Sequence, residues 1–83
     1  MPLYLDEHEH VPDLTGAAVA KAHARDVEVG PKYGVTYLRY WYDEATGKVF
    51  CLVEAPDVEA AIMTHREAHG LLADIIQEVK EGA

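Results

Sequence analysis

Two runs in the middle of the chain dictate its class. Val35-Thr36-Tyr37-Leu38-Arg39-Tyr40-Trp41-Tyr42 is rich in aromatic and β-branched residues, and Lys48–Glu54 alternates Val49, Cys51 and Val53 against Phe50, Leu52 and Glu54. Both patterns are those of strands. Between them Asp43-Glu44-Ala45-Thr46-Gly47-Lys48 has turn composition, with Gly47 able to take positive φ, so the two runs form a hairpin. Everything else has to pack around it.

Each flank adds a strand and a helix. Leu3 to Glu7 reads as a short strand with Leu3 and Leu5 on one face and Tyr4 and Asp6 on the other; Pro12 halts any ladder beyond it. A helix starts near Asp13 or Thr15 and runs to about Val29, its inward stripe being Val19, Ala22, His23 and Asp26, and Gly30-Pro31 ends it. After the hairpin, Pro56-Asp57 opens a second helix with the acid in its first turn. It stops at Gly70, with Val58, Ala61, Ile62, His65 and His69 facing inward, and a last strand spans roughly Ala73 to Lys80. The order β-α-β-β-α-β predicts an α+β fold, a ferredoxin-like sandwich forming one domain over residues 1–83. Its four-stranded antiparallel sheet takes the spatial order 4-1-3-2, with both helices on one face. Tyr4, several strand-two aromatics, and Phe50 or its neighbours are then expected on the open face, too apolar to leave in water. A homodimer paired through that face is the economical cover.

Size points the same way. A chain of 83 residues buries only about 60–65% of its unfolded surface, so a lone copy is marginal. Seven Lys and Arg against fifteen Asp and Glu give a formal charge of −8, and the basic residues are scattered. That argues against nucleic acid and against an anionic membrane surface. No apolar stretch approaches the ~18–20 residues of a membrane span, and the acidic N-terminus reads as no signal peptide. A single cysteine, Cys51, fits a reducing cytoplasm.

The five histidines carry the chemistry. In the expected topology the end of the first strand, the hairpin loop and the end of the second helix share one rim. His8 and His10 therefore fall near His65 and His69, almost sixty positions away. His65 and His69 are spaced i, i+4, the commonest two-point metal clamp on a helix, although the sequence between them lacks the glutamate of a metalloprotease motif. Asp6-Glu7-His8-Glu9-His10 adds two imidazoles and three carboxylates. Imidazole with carboxylate suits zinc, nickel, cobalt or copper(II). The candidate metal ligands are His8, His65 and His69, completed by Asp6 or Glu54; His10 reads better as part of a solvated loop. His23 and Asp26, spaced i, i+3, read as a core histidine held by its neighbouring carboxylate. Cys51, mid-strand, reads as a buried inert thiol.

Several segments are familiar in combination: Tyr4-Leu5-Asp6-Glu7-His8, Ala22-His23-Ala24-Arg25-Asp26, Tyr33-Gly34-Val35, Tyr40-Trp41, Lys48-Val49-Phe50-Cys51-Leu52-Val53-Glu54-Ala55-Pro56 and His65-Arg66-Glu67-Ala68-His69-Gly70. Together they resemble a family of small bacterial ferredoxin-fold proteins, nickel-binding and nickel-responsive-regulator-like, over about Leu3 to Val79. The resemblance implies a dimer able to hold nickel, without a DNA-binding module. The family's recurrent polar residues fall on Asp6, His8, His23, Asp26, Cys51, Glu54, His65 and His69.

Three functions compete at this stage. The first is a metal-binding module holding nickel or a similar divalent transition metal. The second is a small cofactor-free enzyme, in which His23 with Asp26, or His8 with Asp6, moves a proton inside a dimer-enclosed pocket. The third is a plain interaction module whose histidines are structural.

Overall fold

The structure, a computed structural model, describes residues 1–82. The elements are β1 (Leu3–His8), α1 (Gly16–Val29), a 3-10 turn (Gly30–Tyr33), β2 (Thr36–Asp43), β3 (Lys48–Glu54), α2 (Val58–Ala68) and β4 (Ile75–Val79). They build an antiparallel four-stranded sheet in the order β2-β3-β1-β4, the arrangement the sequence predicts. Both helices cover one face, because Asp26 of α1 and Asp6 of β1 each hydrogen-bond to His65 of α2.

Local chemistry sets the element ends. Thr15 caps α1 by accepting from the Ala18 N–H at 3.1 Å, and Asp57 caps α2 by accepting from the Ala60 N–H at 2.8 Å. Asp57 therefore precedes the helix rather than occupying its first turn. The hairpin closes through Gly47 at φ 81°, where an added Cβ would lie 2.8 Å from the His10 ring. His10 belongs to this loop: its Nδ1 lies 3.1 Å from the Thr46 carbonyl and the side chain is exposed.

Sheet register assigns the two faces. Tyr4, Asp6 and His8 stand beside Val53, Cys51 and Val49 under the helices. An irregularity between Tyr37 and Arg39 shifts β2 by one residue, so Tyr37, Tyr40 and Tyr42 also point to the helix side while Leu38 is left exposed. Such an extra residue is a β-bulge, and regular alternation would have put Tyr37 and Tyr40 on opposite faces. Tyr4 was expected on the open face; it is instead buried in the core with Val19, Val35, Tyr37, Val53 and Ala61. The open face carries Leu3, Leu5, Trp41, Phe50, Leu52, Ile75 and Val79, with Trp41 49% exposed and Ile75 46%. Among the described residues, no helix is long and apolar enough to cross a membrane.

Candidate metal centre

The centre is built around one imidazole. His65 lies in the last turns of α2, 1% exposed, and both of its ring nitrogens meet a carboxylate. Its Nε2 is 2.7 Å from Asp6 Oδ2, and its Nδ1 is 2.9 Å from Asp26 Oδ1. Burial alone would lower the His65 pKa, but the hydrogen bonds to Asp26 and Asp6 outweigh it and push it up to about 12. The ring is thus an imidazolium that donates both N–H groups, one to each acid.

Its neighbours are fixed in turn. His69 takes the Leu71 N–H on Nδ1 at 3.1 Å and places Nε2 3.0 Å from Asp26 Oδ1. Accepting on one nitrogen means that it donates from the other. Burial pushes the Asp26 carboxyl up, yet the bonds from His65 and His69 prevail and hold it below its usual range. The Tyr37 hydroxyl sits 3.4 Å from His65 Nδ1, and burial together with the Asp26 and Asp6 carboxylates keeps the phenol protonated.

On the β1 side the set is incomplete. Asp6 is fully buried, and its Oδ1 has no hydrogen-bond partner. His8 Nε2 lies 3.7 Å from it. Burial depresses the His8 pKa, leaving a neutral imidazole, and pushes the Cys51 thiol up to about 11. Asp6, His8, Cys51 and His65 each bring a donor atom within 4.8 Å of the others, and Asp26, His65 and His69 form a second such group.

The predicted convergence therefore occurs for Asp6, His8, His65 and His69. The His8 and His65 ring centroids are 5.3 Å apart, and those of His65 and His69 are 4.9 Å apart. Glu54 does not join them. It points to the open face, paired with Leu3 and Thr36 at the other end of β1, because β3 alternates and Cys51 takes the helix side. His23 does not pair with Asp26 either: it packs over Tyr40 at 4.5 Å between centroids, with its Nδ1 buried and unpartnered. Cys51 is buried, as expected, with its thiol pKa pushed up, and its neighbours are the cluster itself. Its alternation with Phe50 and Leu52 put it on the face of Asp6, and that was the available signal.

The profile of the nickel responsive protein SCO4226-like family matches residues 4–79. The chain belongs to this family. No curated protein matches it. The crystal structure of SCO4226 from Streptomyces coelicolor A3(2) is similar over 98% of this chain and 99% of that one, with 33% sequence identity and a TM-score of 0.90. In this member of the SCO4226-like family, the cluster sets two carboxylates against a single imidazolium, with two further imidazoles and a thiol beside them. Such a set attracts a cation.

Proposed function

We propose that this protein binds a nickel ion, or a similar borderline divalent ion, through Asp6, His8, Cys51 and His65. The observation that carries the reading is the orphaned Asp6 Oδ1, a buried carboxylate oxygen facing a neutral imidazole across 3.7 Å. A buried acceptor without a partner costs roughly 1–3 kcal/mol, so it is retained for a reason. Donors of one ion, each about 2 Å from it, sit roughly 3–4 Å apart. The donor types suit the ion as well, since imidazole favours nickel, zinc and copper over the hard cations.

Loading asks two things of these residues. His65 has to give up the proton it shares with Asp6, and the Cys51 thiol has to lose its own. His69 then acts from outside the set, holding Asp26 against the far nitrogen of His65. When bound, the ion supplies a fixed positive charge where the side chains of the cluster carry excess negative charge. The family to which the chain belongs is described as nickel responsive, which favours nickel among the candidates. The reading extends to a homodimer joined through the open sheet face, supported by the apolar side chains that β1, β3 and Trp41 leave there.

Thermal unfolding of the chelator-treated full chain, titrated with nickel, zinc, cobalt and copper(II), tests the reading. A ligand at a hundred times its Kd adds about 2.7 kcal/mol of stability, enough to raise Tm by several degrees. A saturable rise is expected with nickel, lost in His8→Ala, reduced in Cys51→Ser and unchanged in Glu54→Gln. No rise at tenfold excess of nickel, or a rise indifferent to His8, overturns the site.

A further inference from the structure

Against the cluster lies a partly open pocket of about 80 Å³ between α1 and the helix-covered face of the sheet, and His8, Asp26, Cys51, His65 and His69 are part of its lining. Its accessible wall is almost wholly carbon, supplied by Val11, Leu14, Val19, Ala22, Val49 and Leu71. A metal site has no use for six aliphatic side chains. Water is poorly held there as well, because a buried water needs two to four polar partners. In a chain of only 83 residues, an apolar space left unfilled gives up packing that the core needs.

Size, charge and polarity narrow what fits. At roughly 10–15 Å³ for each water-sized occupant, the space holds on the order of five to eight non-hydrogen atoms, a single ring. Asp26 is part of the lining and Asp6 lies behind it, both set against one imidazolium, which disfavours an anion. Asp26 Oδ1 is already taken by His65 and His69, so a cationic head meets mainly carbon. His8 lines the pocket, makes no hydrogen bond among the described residues, and is not sealed off as Asp6 Oδ1 and His23 Nδ1 are; Tyr40 lines it too, with a hydroxyl that makes no hydrogen bond there. A hydroxyl both donates and accepts, so it suits His8 in either tautomer.

We propose that this pocket is a second binding site, taken by an uncharged, ring-sized apolar molecule whose single hydroxyl hydrogen-bonds His8. Mostly apolar walls with a few convergent polar groups are the usual make-up of a small-molecule site. The pocket stands whether or not the neighbouring cluster holds an ion.

The test is an NMR titration of the full chain, chelator-treated and separately with nickel added, against phenol, toluene, benzoate and benzylammonium. Phenol is expected to saturate at about millimolar concentration, with shifts centred on Val19, Ala22, Val49 and Leu71. Toluene should bind about five-fold more weakly for want of the hydrogen bond, and the two ions more weakly still. Ala18→Trp, which projects an indole from the lining of the pocket, should abolish binding. Should that variant not fold, nuclear Overhauser contacts between the phenol ring and the Val19 and Leu71 methyl groups give the same answer on the wild type. Absence of saturation, equal binding of either ion, shifts centred on Trp41 and Phe50, or binding only with nickel present would each overturn the proposal. A pocket that fails leaves the nickel-dependent Tm rise intact, and a metal site that fails leaves phenol binding intact.

Discussion

His65 is a cation that the fold has enclosed between two acids, and its removal reads differently from an ordinary core truncation. His65→Leu leaves Asp6 and Asp26 buried without their shared donor, a change that costs about 3–5 kcal/mol where a buried pair is broken. Urea unfolding should show that loss as a lower midpoint with little change in slope. The same residue sets the alkaline limit. Its pKa rises on folding from 6.5 to about 12, so its contribution is whole below about pH 6.5 and declines as pH climbs toward 12. His8 and Asp26 set the acid side. Both have depressed pKa values in the fold, so each contribution is present above its ordinary value, 6.5 for His8 and 3.8 for Asp26, and is lost as pH falls below it. Stability of the metal-free chain should therefore be greatest near neutrality. Ring nitrogen shifts at pH 8 should show His65 as imidazolium and His8 as neutral; the reverse assignment would refute this electrostatic account. Spacing and topology made Asp6, His8, His65 and His69 legible as one group. The partner of Asp26 was not legible, because His23 one turn away and His65 on another helix are equally plausible in sequence. Only the way α1 lies on the sheet, with His23 turned over Tyr40, decides between them.

At the level of elements, caps and one irregularity do most to place the donors. Asp57→Ala removes the acceptor for the Ala60 N–H and should destabilise the chain by about 1 kcal/mol, read as a fall in Tm. Gly47→Ala should cost more than that, since it forces a side chain into φ 81° and against the His10 ring. Deleting Leu38 is the sharper test of register. Without the extra residue, Tyr37, Arg39 and Tyr40 alternate regularly opposite Val53, Leu52 and Cys51, so Tyr37, Tyr40 and Tyr42 keep the helix side and the near-UV circular dichroism of the fold should be retained; its loss would overturn this register. The boundaries of β3 were readable because Lys48–Glu54 alternates strictly. The faces of β2 were not, since aromatics on both sides of that strand conceal where the alternation slips. Tyr4, expected in the open, lies in the core because it shares a face of β1 with Asp6 and the helices cover that face.

For the molecule as a whole, the helix-covered face is finished and the other is not. Leu5, Phe50, Leu52 and Trp41 form a contiguous apolar surface on a chain carrying a charge of −8. Sedimentation should report a dimer for the wild type and a folded monomer for Leu52→Glu, whereas a monomeric wild type would remove the dimer from the proposed function. The dimer was suggested by size and by the sheet pattern together, and neither depends on the identity of any one side chain.

The position of β1 between β3 and β4 bears on how the cluster moves. Asp6 is laced to a neighbour on each side, opposite Cys51 and Ile76, whereas His69 follows the last turn of α2 beside Gly70 at φ 77°. Amide exchange at Asp6 should thus await global opening, and at His69 it should need only fraying of the helix end. The cluster has one stationary wall and one that breathes. Traffic in and out of it would be timed by the end of a helix, while the stationary wall dictates what shape the visitor must accept.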